Sequence, residues 1–292
     1  MSDMPTFFDL IISGRLDAAS FKLLTEQLPG CRVREDENRT RFSGVSREAL
    51  TPELKSLLLN LLDIDCVIVP TNLSLASFKC AFFDMDSTLI ANECIDELAA
   101  LYGVRDKIAE ITERSMRGEL DFEESLRARV ALLAGAPASI IDEAMKRIRP
   151  TEGAKETLAF LQRHGIKTYI LSGGFTQFAE RIARDYGMTG YVCNSLVIED
   201  GKLTGEVTGP AGGAILGRAG KRRSLEVISH LNGATTAQCI AGGDGANDLE
   251  MIDAAGLGFA YHAKPIVAQA AQHRINCGSF AVLADWFVES WS

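Results

Sequence analysis

The sequence lacks any uninterrupted apolar run long enough to cross a membrane. Its richest apolar stretch, 57–69, is broken by Asn60, Asp63 and Asp65, well short of the roughly 18 consecutive apolar residues that a span requires. The opening residues have no basic n-region, carry Asp9 inside their apolar stretch and offer no small-residue cleavage pattern, so no secretory leader is expected and the protein is expected to be cytoplasmic. There is no C-x-x-C pair: Cys31, Cys66, Cys80, Cys94, Cys193, Cys239 and Cys277 are scattered and odd in number, which argues against a disulfide framework and for reduced thiols. His164, His230, His262 and His273 have no metal-ligand spacing, and no Ser-His-Asp arrangement can be built from them. Basic charge is also short. With 30 basic against 39 acidic residues, a net charge of −9 and no Lys/Arg block beyond 221–223, nucleic acid is not an expected partner.

What is present is a chain of 292 residues, 47% hydrophobic, long enough for about two domains. In the first, Phe7 to Ile12 has a strand pattern and Ala18 to Leu28 a helical one. Cys31 to Phe42 alternates around a charged turn at 34–39, Thr51 to Leu62 returns to helical period, and Cys66 to Pro70 is strand-like. The order βαββαβ predicts a ferredoxin-like α+β domain over 1–77, whose length is similar to that of ACT-type regulatory domains.

From Cys80 onward, short apolar runs at 80–83, 168–171, 191–194 and 236–241 alternate with helical stretches. That pattern predicts an α/β domain over 78–292 with a Rossmann-like parallel sheet. The helix-forming sequence between the first two strands is too long for a simple crossover, and predicts an inserted helical cap over about 97–149. Asp200-Gly201 between apolar runs predicts a hairpin with a type I′ turn, and a glycine-rich approach leads to Lys221.

The chemistry is concentrated at strand ends. Ala81 to Ile90 reads AFFDMDSTLI, and its partner at 241–251 reads AGGDGANDLEM. Several carboxylates in one small volume repel one another unless a cation joins them, and a hard divalent ion such as Mg²⁺ keeps positions open for phosphate oxygens. Phosphoryl chemistry follows as the leading expectation, with Asp84 as nucleophile and Asp86 as general acid and base. The plainer alternative is that Asp-Ser-Thr after a strand caps the next helix. A second D-x-D at Asp63-Ile64-Asp65 precedes an apolar strand and is assigned to a loop. Ser172-Gly173-Gly174 ends the second strand, where a hydroxyl and backbone N–H groups suit phosphate, although a tight strand-to-helix turn would have the same sequence. Lys221 offers a point positive charge, or else is a solvated surface lysine. Asp244 suits a metal carboxylate, with Asn247 and Asp248 holding substrate, nucleophile or metal-bound waters, unless the segment is simply a polar turn.

Taken in order, DMDST, LSGG, Lys221 and GGDGANDLEM resemble the haloacid dehalogenase superfamily of aspartate-nucleophile phosphatases. DMDSTLIANECIDELAALYG at 84–103 is similar to the first motif region of bacterial phosphoserine phosphatases. The resemblance implies Asp84 as nucleophile and Asp86 as acid and base. It implies Mg²⁺ held by Asp84, the Asp86 backbone carbonyl and Asp244, and a specificity-bearing cap of the helical C1 type. It further implies that Glu93 and Arg129 bind the ammonium and carboxylate of O-phospho-L-serine, that Met116 and Phe122 form an apolar wall, and that Ser172, Gly173, Lys221 and Asn247 contact substrate or phosphate, with Asp248 in support. The expected reaction is hydrolysis of O-phospho-L-serine to L-serine and phosphate, the last step of serine synthesis by the phosphorylated route. Two alternatives stay open: a related phosphotransferase that uses homoserine as acceptor, and a non-catalytic serine sensor, against which the intact Asp84, Asp86, Lys221 and Asp244 set argues. The first domain is expected either to bind serine or to mediate a homodimer.

Overall fold

Residue pattern and burial agree closely in the first domain. In the computed structural model, which describes residues 6–59, 61 and 64–291, the chain begins with β1 (Phe7–Ser13), α1 (Ala18–Gln27), β2 (Arg32–Asp36), β3 (Arg39–Ser46), α2 (Pro52–Leu59) and β4 (Asp65–Pro70). Asp17 caps α1 by accepting from Ser20 N at 2.7 Å, which satisfies one of the amides a helix start leaves unpaired. The four strands form an antiparallel sheet in the order β2-β3-β1-β4, so the βαββαβ expectation matches the element order. β2 lies at one edge and is exposed throughout, its RVRED sequence giving that edge the charge that discourages further pairing.

The two faces of this sheet are covered differently. One packs on α1 and α2 through Leu10, Ile12, Leu24, Leu28, Phe42 and Leu54. The other packs on the last residues of the chain: Ile11, Val67 and Val69 share a single apolar core with Phe280, Trp286 and Trp291. Polar ties fasten the same face. Arg39 pairs with Asp285 at 2.7 Å, Ser13 donates to Asp285 at 2.9 Å, and Ser74 donates to Glu289 at 2.5 Å. Asp65 corrects the sequence reading. It is the first residue of β4 rather than a loop residue, and its buried carboxylate accepts from the backbone amides of Asn276, Cys277 and Gly278. Asp63 of that motif lies outside the described residues.

The second sheet contains β5 (Cys80–Phe83), β6 (Lys167–Phe175), β7 (Gly190–Glu199), β8 (Lys202–Thr208), β9 (Cys239–Gly243), β10 (Leu257–Tyr261) and β11 (His273–Ile275). Its order is β11-β10-β9-β5-β6-β7-β8, parallel except for the β7–β8 hairpin. That hairpin turns through Asp200 and Gly201 with φ of 46° and 73°, the pair of positive values a type I′ turn demands. β9 begins only at Cys239, because Thr236–Gln238 forms a 3-10 turn. β10 and β11 are additional to the strands expected from sequence.

Between β5 and β6 stand α3 (Cys94–Tyr102), α4 (Arg105–Met116), α5 (Phe122–Ala131) and α6 (Ile140–Met145), followed by α7 (Ala154–Arg163), which packs beside the sheet. The helical insert leaves and re-enters the sheet layer through two linkers that bond to each other, Ala91 N to Arg149 O at 2.9 Å and Thr151 N to Leu89 O at 3.0 Å. The β8 strand supports it from the side: a Cβ on Gly205 would lie 2.9 Å from Ala134 Cβ. After the sheet's crossovers α8 (Thr176–Asp185), α9 (Arg218–Leu231), α10 (Leu249–Ala254) and α11 (Pro265–Ala270), the chain closes with α12 (Val282–Asp285) and a 3-10 turn at Val288–Trp291. No helix among the described residues is long and apolar enough to cross a membrane.

Candidate active site

Parallel strands whose residues are buried on both faces end together, and ligands gather beyond their carboxyl ends. β5 delivers Asp84 there, β6 delivers Ser172 to Gly174, and β9 delivers Asp244. With residues of the insert they line one cavity of about 180 Å³, whose wall includes Asp84, Asp86, Glu93, Phe122, Arg129 and Asn247.

Asp84 is buried and fixed through Oδ1, which accepts from Met85 N at 2.7 Å and faces Lys221 Nζ at 3.0 Å. Its Oδ2 is left to act. Lys221, on the first turn of α9, is fully buried beneath the cavity and also binds Asp248 Oδ1 at 2.5 Å. Burial works against its charge, but Asp248 and Asp84 outweigh burial and hold the ammonium above its usual pKa. The surface-lysine alternative is thereby excluded. Asp248 Oδ2 accepts from Gly245 N at 2.9 Å, so both of its oxygens are engaged, and a Cβ on Gly243 would fall 2.4 Å from its carboxyl.

Asp86 also serves the capping role considered from sequence: its Oδ1 accepts from Cys94 N, the first amide of the next helix, α3, at 2.9 Å. Desolvation, opposed by Cys94 and reinforced by Asp84 and Asp244, pushes its pKa up to about 7. Gly174 makes room for it, since a Cβ there would lie 2.5 Å from Asp86 Oδ2. Asp244 accepts from buried Thr88 Oγ1 at 3.0 Å and is pushed up to about 7 by desolvation and by Asp84. Oxygens of Asp84, Asp244 and Asp248 lie within 4.8 Å of one another. One ammonium against these acids leaves excess negative charge, and an all-oxygen, under-neutralised donor set fits a hard divalent cation.

LSGG is a bulge rather than a tight turn. The β6–β7 register runs from Ser172 opposite Cys193 to Phe175 opposite Asn194, leaving Gly173 and Gly174 unmatched, and α8 starts only at Thr176. Ser172 Oγ accepts from Gly174 N at 3.0 Å. Phe122 packs on Gly173 so closely that a Cβ there would meet its ring at 2.6 Å. Above the bulge, Phe122, Leu126 and Arg129 fall at i, i+4 and i+7 of α5 and so share one helix face. Arg129 is half-buried with its Nε on Ser125 O at 3.3 Å, and desolvation lowers its pKa against Glu93, Asp96 and Asp86, which raise it. Glu93 accepts from Ser87 Oγ at 2.8 Å and is shifted upward by desolvation and by Asp86.

Of the residues expected to contact substrate, Lys221 is buried behind the cavity wall and Met116 lies apart from it. Met116 is 64% exposed at the end of α4, with Lys264 Nζ 3.5 Å from its sulfur. Ile95, Leu126 and Phe175 supply apolar wall instead, and of these Leu126 was readable from its helical spacing to Phe122. Asn194 was also missed. Fully buried, it donates to Gly173 O at 2.8 Å and accepts from Leu216 N at 2.7 Å, joining the bulge to the approach of Lys221.

A model of the haloacid dehalogenase-like hydrolases matches residues 78–256. The chain belongs to the haloacid dehalogenase-like hydrolase family. It is 44% identical over 234 residues to the phosphoserine phosphatase of Streptomyces coelicolor, an alignment covering 80% of this chain and 56% of that one. Several other phosphoserine phosphatases also exceed it in length, the chain spanning about half to two thirds of them. Among solved structures, a HAD family hydrolase from Salmonella enterica serovar Typhi superposes with a TM-score of 0.84 at 31% identity, covering 96% of this chain and 98% of that one. A phospho-aspartyl intermediate analogue of phosphoserine phosphatase gives 0.67 at 40% identity, covering 72% of this chain and 99% of that one.

Proposed function

We propose that the protein is a Mg²⁺-dependent phosphoserine phosphatase that hydrolyses O-phospho-L-serine to L-serine and phosphate. The observation that carries this reading is one cavity with two kinds of lining: Asp84, Asp86 and Asp244 from the strand ends, Glu93 and Arg129 from the helical insert. A phosphate between carboxylates and a cation needs the strand ends, while an amino acid bears one positive and one negative group that the insert complements. The names of the relatives support the same substrate.

Asp84 Oδ2 attacks phosphorus, the bond to the serine oxygen breaks, and Asp86, holding a proton near neutrality, gives that proton to the departing alkoxide. Asp86 then takes a proton from water, which attacks the aspartyl-phosphate and releases phosphate, restoring Asp84. Lys221 keeps Asp84 ionised and aimed. Ser172, the Gly173 amide and Asn247 bind phosphoryl oxygens, while Phe122 and Leu126 exclude water. Asp84, Asp244 and the Asp86 carbonyl would hold Mg²⁺, which would supply positive charge for the phosphoryl oxygens. Asp248 positions Lys221.

A phosphomonoester panel with and without Mg²⁺ tests this. Selective Mg²⁺-dependent release from phosphoserine is expected, and phosphate released equally from every ester would remove Glu93 and Arg129 from recognition. Added homoserine separates hydrolysis from transfer, since only a transferase would yield phosphohomoserine. A cytoplasmic location, supported by seven free thiols, and a homodimer through the first domain complete the proposal. Sedimentation would test the latter.

A further inference from the structure

A second cavity, cationic where the catalytic one is acidic, lies where the β2 edge of the first sheet meets the 3-10 turn at Val288–Trp291. Its volume is about 300 Å³, and its wall carries three guanidiniums, Arg32, Arg34 and Arg41, without a single carboxylate. Strand register explains the cluster: Arg34 is directly opposite Arg41, and Arg32 opposite Ser43, so all four side chains project to one face.

Arg41 gives the cavity its chemical character. It is only 4% exposed, and its Nε and Nη2 both donate to Asp9 Oδ2, at 3.0 and 2.7 Å. Its buried Nη1 has no hydrogen-bond partner among the described residues, although buried donors are paired as a rule. Asp9 cannot serve it. That carboxylate also accepts from Thr71 Oγ1 and from the amides of Gly44 and Asn72. Arg32 and Arg34 make no ion pair among the described residues. The indole of Trp291 is surrounded instead, with Arg39, Arg41 and Arg34 at 4.2, 5.9 and 6.0 Å from its ring centre. Like charges on adjacent strands repel; Asp9 answers the charge of Arg41, and an anion would relieve Arg32 and Arg34 while meeting the free Nη1 of Arg41.

We propose that this cavity binds a small oxyanion, a phosphate or carboxylate group of a metabolite, and that the bound group clamps β2 and β3 to the C-terminal turn. Planar guanidiniums are the side chains best matched to either group. Asn72 and Ser43 offer neutral donors beside them.

The full chain is titrated with sodium phosphate and separately with sodium succinate at constant ionic strength, following indole emission and thermal unfolding. A saturable emission change with a Kd below about 1 mM and a rise in Tm are expected for at least one anion. Saturation by phosphate assigns a tetrahedral group, and saturation by succinate a carboxylate. Arg34→Gln with Arg32→Gln should weaken binding at least tenfold while hydrolysis rates stay within twofold. These edge residues are chosen because Arg41 holds Asp9 and its loss endangers the fold. No response, a response matched by chloride, or one unchanged in the double variant would overturn the site. The last outcome would also assign any phosphate response to the catalytic cavity.

Discussion

Two buried ion clusters in this molecule look alike and differ in balance. In the first domain Asp9 holds Arg41, and five donors saturate the carboxylate. In the second, Lys221 holds Asp84 and Asp248 while Asp86 and Asp244 stand near with no cation of their own. A charge matched by its partners is a structural element, and its removal costs stability. Acid left in excess is strained until a ligand arrives, and its removal costs function. The lesson is that the sign and size of the imbalance, more than burial itself, separates a scaffold from a reaction centre.

The sharpest way to break that contrast is at the nucleophile. Asp84→Asn should lower phosphoserine turnover by at least about 10⁴-fold while circular dichroism and the urea midpoint stay near wild type, because one repelling charge is gone. Retained turnover would refute the aspartyl-phosphate route. The opposite pattern is expected for Asp9→Asn, which strands buried Arg41. Unfolding free energy should fall by about 3–5 kcal/mol, with kcat of the folded enzyme preserved. A fall in kcat without loss of stability would erase the distinction.

Smaller effects sharpen the comparison within the cavity. Arg129→Ala should raise KM for phosphoserine about 10- to 100-fold, the loss of a charged hydrogen-bonded partner, with much less change on an aryl phosphate that lacks a carboxylate. Equal losses on the two substrates would reassign Arg129 to the fold. The smallest effect concerns His273, whose burial lowers its pKa to about 4. The unfolded chain binds this proton near pH 6.5 and the folded chain does not, so stability is full above about 6.5 and declines toward 4. The expected loss between pH 7 and pH 5 is on the order of 2 kcal/mol. His273→Gln should flatten that slope in urea unfolding between pH 7 and pH 5, and an identical slope would exclude the histidine.

The first domain adds a further contrast, between its two sheet faces. Sequence alone suggests that residues 78–292 form a separable unit, yet Ile11, Val67 and Val69 share a core with Trp286 and Trp291. Removing residues 1–77 is therefore expected to yield a fragment that binds hydrophobic dye and unfolds at lower urea. An unchanged urea midpoint would show that the shared core contributes nothing.

What was legible in the sequence was local. DMDST and GGDGAND each sit within a strand end and its following loop, so chain spacing is nearly spatial spacing. Phe122 and Arg129 are placed by one helix. Met116 is not, because the turn at 117–121 separates α4 from α5 and breaks the periodicity that relates their faces. The Asp9–Arg41 pair and the Asp65 ties to 276–278 join residues 32 and 211 or more positions apart. Only strand pairing and domain packing bring them together. β11 escaped notice because three residues with a polar pair, His273 and Arg274, carry too little pattern.

The covered face of the first sheet has a consequence for synthesis. Its lid, residues 282–291, leaves the ribosome more than two hundred residues after β4, roughly 10–40 s later at ordinary elongation rates. During that interval the nascent sheet leaves Ile11, Val67 and Val69 uncovered. A chaperone that reads apolar strands therefore has a defined window of engagement, and ribosome-bound chains arrested before residue 282 should be captured by it when full-length chains are not.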